Sequence, residues 1–130
     1  MMKRHFALIT LLVLTLPVVT ALAWQGEAKK KTIIGELVDS KCYLAMGARG
    51  EGHRACAVKC AKMGIPVAIA DAKGNTYTIA LPAPALAQYQ GLQARVTGKV
   101  FETSRTIIPM KIEVKKDGRW TEIELPKTMM

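Results

Sequence analysis

The chain has 130 residues, with 19 Lys and Arg against 10 Asp and Glu, 50% hydrophobic residues and only 5% aromatics. That length gives one domain and excludes a large catalytic fold with an appended module. A formal charge of +9 turns the chain toward anionic surfaces, with ordinary solubility as the plainer consequence.

Met1–His5 is a short basic start, Phe6–Val19 is an apolar run broken by Thr10, Thr15 and Pro17, and Ala21-Leu22-Ala23 is a small-x-small end. These are the three parts of a secretory signal, predicted to occupy residues 1–23 and to be cut after Ala23. The expected location is therefore the periplasm. Left uncut, Phe6–Trp24 would match the roughly 17–25 apolar residues that span a bilayer and would act as an N-terminal membrane anchor. Pro17 and the Ala-x-Ala-like end favour cleavage, after which no transmembrane span remains. A lipid anchor is disfavoured because the first cysteine is Cys42.

Residues 24–31 carry Lys29-Lys30-Lys31 without apolar periodicity and read as a flexible leader. A domain is expected over residues 32–126. Ile33, Gly35 and Leu37 alternate with Ile34, Glu36 and Val38, the period-2 pattern of a first strand with one buried face. An insertion spans residues 42–66. Val67–Ala70 and Thr76–Leu81 are two further strands, joined by Asp71-Ala72-Lys73-Gly74-Asn75, whose Gly and Asn suit a hairpin loop. Pro82-Ala83-Pro84 opens a short helix that runs to Gln90, with Gly91 past its end. Gln93–Glu102 alternates again, with Ala94, Val96, Gly98 and Val100 inward. Ile108, Met110, Ile112 and Val114 form the inward row of the next strand. Arg119–Leu125 is a final added strand, with Thr121, Ile123 and Leu125 facing inward. The chain reads as mainly β: a small OB-like barrel of five or six strands, with a Cys-containing helical insertion after strand 1 and a short helix between strands 3 and 4. Inward Gly35 and Gly98 suit strands that coil around a narrow barrel. A small open sandwich would satisfy the same alternation.

The insertion collects the unusual residues. All three cysteines and one of the two histidines lie between Cys42 and Cys60. A Gly-rich loop, Gly47–Gly52, leads to a helix predicted to end at Met63, before Gly64-Ile65-Pro66. On that helix His53, Cys56 and Cys60 fall at i, i+3 and i+7 and share one face, with Met63 continuing the stripe. Three readings fit the cluster. The first is a disulfide from Cys42 to Cys56 or Cys60 that staples the insertion to the barrel, leaving an odd thiol over. The second is a metal site in which Cys42, His53, Cys56 and Cys60 hold zinc, or copper with Met46 and Met63 as auxiliary thioethers. The third is a redox thiol, with Arg54, Lys59 and Lys62 lowering the pKa of Cys56 or Cys60. No hydrolase motif is present, and a Cys56–His53 dyad has only Asp39 to orient it.

Gly35-Glu36-Leu37-Val38-Asp39-Ser40-Lys41-Cys42-Tyr43-Leu44, followed by His53-x-x-Cys56-Ala57-x-x-Cys60-x-x-x-Gly64-Ile65-Pro66 and a later Val96-Thr97-Gly98-Lys99-Val100, resembles a family of uncharacterised exported bacterial proteins. The resemblance covers most of residues 32–115. It implies a cell-envelope location, a small OB-like barrel, and that Cys42, His53, Cys56 and Cys60 belong together; it supplies no activity.

Nucleic-acid binding is disfavoured. Phe101 alone points outward from the strands, and stacked bases need an aromatic platform. The sequence therefore reads as an exported OB-like binding or interaction module, non-enzymatic, held by a disulfide or a metal in its insertion. The alternatives are a copper- or zinc-binding protein through the Cys/His set and, after it, an envelope thiol-redox protein. The partner expected is another envelope protein or an anionic envelope surface.

Overall fold

The computed structural model describes residues 28–127. The expected signal, its cleavage point and residues 24–27 of the expected leader lie outside the described residues. Among the described residues no helix is long and apolar enough to cross a membrane.

The elements in chain order are β1 (Lys29–Asp39), α1 (Ser40–Met46), a 3-10 turn (Glu51–His53), α2 (Arg54–Lys62), β2 (Val67–Asp71), β3 (Thr76–Ile79), α3 (Ala83–Leu86), a second 3-10 turn (Ala87–Tyr89), β4 (Gln93–Phe101), β5 (Thr106–Lys116) and β6 (Arg119–Glu122). The six strands form one sheet in the order β3-β2-β1-β4-β5-β6, with antiparallel neighbours and an additional parallel pairing of β3 with β5. The fold is mainly β, with the helical insertion after β1 and the short helix after β3 where the sequence places them.

β1 begins inside the segment expected as a leader. Lys29, Lys30 and Lys31 pair with Val100, Lys99 and Gly98 of β4, yet their side chains stay exposed. Backbone pairing and the Lys31–Glu102 ion pair hold this end, so no apolar alternation announces it. At Gly35 and Glu36 β1 has β4 on one edge and β2 on the other, β2 continues the pairing to Asp39, and Gly35–Asp39 are all buried. Leu37 enters the main core with Ile69, Leu86, Val96, Ile107 and Ile112. Val38, on the opposite face, packs with Ala68 and Ala70 beneath Tyr43 of α1. The insertion therefore covers the back of β1 and β2, and this part of the sheet is buried on both faces.

The inward row of β5 differs from the sequence expectation. On β4, Ala94, Val96, Gly98 and Val100 are buried as expected. Their partners are Val114, Ile112, Pro109 and Ile107, with the register shifting between Thr97 and Gly98 so that Met110 is the extra residue. This bulge reverses the side-chain phase. Ile107 replaces Ile108 in the core, while Ile108 and Met110 are exposed. β6 ends at Glu122, earlier than expected; Thr121 is exposed, whereas Ile123 is buried and Leu125 packs against the core.

The two inward glycines stand where another backbone passes close by. A methyl group on Gly98 would lie 2.1 Å from the carbonyl oxygen of Ile108, and one on Gly35 would lie 2.1 Å from that of Ala70. Neither neighbour is a flexible side-chain end, so the strands would have to part. Gly35→Ala and Gly98→Ala are each expected to destabilise the fold by about 1–3 kcal/mol in urea unfolding. Gly52→Ala, which meets nothing within 4 Å, serves as the neutral control.

Candidate metal centre

The site starts at the last residue of β1. Asp39 is fully buried, and its extended backbone (φ −74°, ψ 129°) leaves Oδ1 to accept the N–H of Cys42 at 2.8 Å. Asp39 is thus the N-cap of α1, and the cap fixes Cys42 on the first turn. The second carboxylate oxygen, Oδ2, lies 2.9 Å from Nε2 of His53. One side chain joins the strand end, α1 and the start of α2.

Glu36 anchors the Gly-rich loop. Its side chain is nearly buried (6% exposed) and accepts the N–H of Gly50 at 2.5 Å and Nε of Arg49 at 3.1 Å. α1 ends at Gly47, whose φ of 65° suits a left-handed cap and whose N–H donates to Tyr43 O at 2.8 Å. Ser40 ties the insertion's entry to its exit: its N–H and its hydroxyl both donate to Pro66 O, at 3.0 and 2.8 Å. α2 packs through small residues, burying Ala57, Cys60 and Ala61, with Ala61 in the main core.

These anchors bring the expected residues together. One imidazole nitrogen of His53 and the sulfurs of Cys42 and Cys56 lie within 4.8 Å of one another, as do a carboxylate oxygen of Asp39 and the sulfurs of Cys42 and Cys60. Cys42 belongs to both groups and is the centre of the cluster. Burial grades across it: Cys56 is exposed, Cys42 intermediate and Cys60 buried. Met46 and Met63 follow at the ends of α1 and α2, with 71% and 75% of their surface exposed.

All three cysteines are free thiols, so the expected disulfide staple is not formed. The insertion is instead held by the Asp39 cap, the Glu36 bonds and Ser40, which provide the closure that a crosslink was expected to give. The expected lowering of thiol pKa by Arg54, Lys59 and Lys62 fails at Cys60. Burial and the Asp39 carboxylate push the Cys42 thiol up to about 11, and burial, Asp39 and Cys56 push the Cys60 thiol up as well. For Asp39 itself, burial acts upward, but the Cys42 N–H, His53 and the Cys42 thiol outweigh it and hold the carboxyl below its ordinary value. The centre is a buried carboxylate bonded to His53 and the Cys42 backbone, with three thiols around it.

Asp39 and His53 beside a thiol also have the composition of a base and its orienting group. The crevice against them, lined by Glu36, Arg49, Ala57 and Gly91 among others, is too tight to admit water.

Sequence reasoning gave Asp39 only the role of orienting group in a dyad and set Glu36 on an outward face. An Asp at a strand end just before a short helix is an N-cap signal, and it was available at Asp39-Ser40-Lys41-Cys42. Nothing local announces Glu36, because its face is covered by residues that return from the loop.

Because the Asp39 carboxyl titrates below its unfolded value of 3.8, its contribution to stability is complete above that pH and is lost as the pH falls through the lower, folded-state value. Urea midpoints of the metal-free protein are expected to drop more steeply below pH 4 than those of Asp39→Asn. Glu36→Ala is expected to cost about 1.5–3 kcal/mol, the range for hydrogen bonds to a charged group, and to speed amide exchange at Gly50. Comparison with known protein families, with curated proteins and with solved structures finds no match, and the chemistry of the site rests on its own geometry.

Proposed function

We propose that this chain is a small exported binding module with an OB-like barrel, whose insertion holds one thiophilic metal ion through Cys42, His53, Cys56 and Cys60, with Asp39 as the outer partner of His53. The observation that carries this reading is the convergence of three sulfurs, an imidazole and a buried carboxylate in two overlapping groups, each within 4.8 Å. A Cys₃His set suits tetrahedral zinc, and three thiolates suit Cu(I). A disulfide would use two of the three sulfurs; a metal uses all of them. A bound cation would displace the thiol protons and sit beside the buried Asp39 carboxylate. Asp39 beside His53 is the carboxylate–histidine arrangement that orients metal ligands: Nε2 is held, and Nδ1 is left to coordinate.

The OB-like reading is supported by the strand pairings. β1 to β5 pair in the cycle β1-β2-β3-β5-β4, with β5 also pairing β6, and the β3–β5 pair is parallel. The periplasmic location belongs to the proposal through the basic start, apolar run and small-residue end of residues 1–23.

The test is a metal and free-thiol count on protein taken from an oxidising compartment. One metal per chain, with three thiols that react only after chelation, is the expected result. A metal-free protein with one free thiol would return the site to a staple, and thiols that cycle with a redox partner would make it an oxidoreductase. Asp39→Asn keeps a good N-cap and is expected to weaken metal retention about 10–100-fold. Unchanged affinity in His53→Ala would remove His53 from the ligand set.

A further inference from the structure

The thioethers flanking the cluster point to the metal. Met46 stands four residues after Cys42 on α1, and Met63 three residues after Cys60 at the end of α2. On a helix, both spacings stack the two side chains on one face. Both methionines are mostly in solvent, at 71% and 75% exposure, so neither is there to fill a core. Exposure grades across the soft donors: Met46 and Met63 are mostly in solvent, Cys56 is exposed, Cys42 half-buried and Cys60 buried. Zinc gains little from exposed thioethers, because its ligands are thiolate, imidazole and carboxylate. Cu(I) is bound by thioether and thiolate alike.

We propose that the resident ion is Cu(I), captured at the surface by the Met46 and Met63 thioethers and passed to Cys56, Cys42 and Cys60. This inference rests on the metal reading of the site and adds the identity of the ion and its route of entry. The transfer is a ligand exchange. Each thioether–copper bond that breaks is replaced by a thiolate–copper bond, each thiol that binds releases its proton to solvent, and copper stays in the +1 state throughout. A neutral thioether binds without releasing a proton, whereas a thiol must lose one to bind. Leu44, exposed on α1 two residues before Met46, adds apolar surface but no donor, which separates the two roles experimentally.

The experiment supplies Cu(I) under anaerobic, reducing conditions from a weak competing chelator, and Zn(II) in parallel, to the wild-type protein, Met46→Leu/Met63→Leu and Leu44→Ala. Leucine keeps the size and apolar character of methionine and removes only the sulfur. The expected result is that the double variant takes up Cu(I) about tenfold more slowly relative to its own Zn(II) uptake, the scale on which partners outside the ligand set act, while Leu44→Ala follows the wild type. An unchanged ratio of the two rates in the double variant would overturn the capture role. Zn(II) uptake without Cu(I) uptake by the wild type would overturn the copper assignment and leave the site standing. Uptake of neither ion would defeat the metal reading itself.

Discussion

Everything distinctive in this molecule hangs on the carboxylate of Asp39. A fully buried anion is costly unless hydrogen bonds satisfy it, and here the backbone of Cys42 and the ring of His53 do so. The same two bonds set where α1 starts, where α2 starts, and how far apart their sulfurs lie. The strand end cannot be capped without the thiols being brought together. Structure and chemistry share one group, so a change at position 39 acts on both.

The sheet is organised to keep that group buried. Among the described residues, the last five residues of β1 are all buried, with Leu37 toward the main core and Val38 toward α1. Glu36 takes the next outward position and secures the loop that would otherwise uncover Asp39. Two carboxylates three residues apart on one strand thus do different work. Glu36, bonded to Gly50 and Arg49, holds the loop in place, and Asp39 sets the positions of the donors.

Much of the fold is legible in the sequence, because alternation reports burial wherever a strand has one wet face. β4 shows this from Ala94 to Val100. The pattern misleads at β5, where Ile108, Met110, Ile112 and Val114 look like one row. Met110 is the extra residue of a bulge, and alternation cannot reveal a register shift that depends on the partner strand. It is silent at Lys29–Lys31, which pair without burying anything. In the site, helical spacing brings Cys56 and Cys60 to one face, but the contribution of Cys42 depends on α1, a helix of seven residues too short to leave a periodic signature. Glu36 was hidden for a related reason: the atoms that bury it come from a Gly-rich loop with no pattern of its own.

The chain distances involved have a consequence for assembly. Thr32 and Thr97, which bond across β1 and β4, are 65 residues apart in sequence, and Asp39 and His53 only 14. Short loops close sooner than long ones, since the entropy lost on closure and the delay in folding both grow with separation. The sulfur-bearing excursion is therefore able to gather before the sheet has joined its distant edges. An ion taken up at that stage would act as a nucleus, tying the newly emerged β1 to its first two helices while the C-terminal strands are still searching for their places.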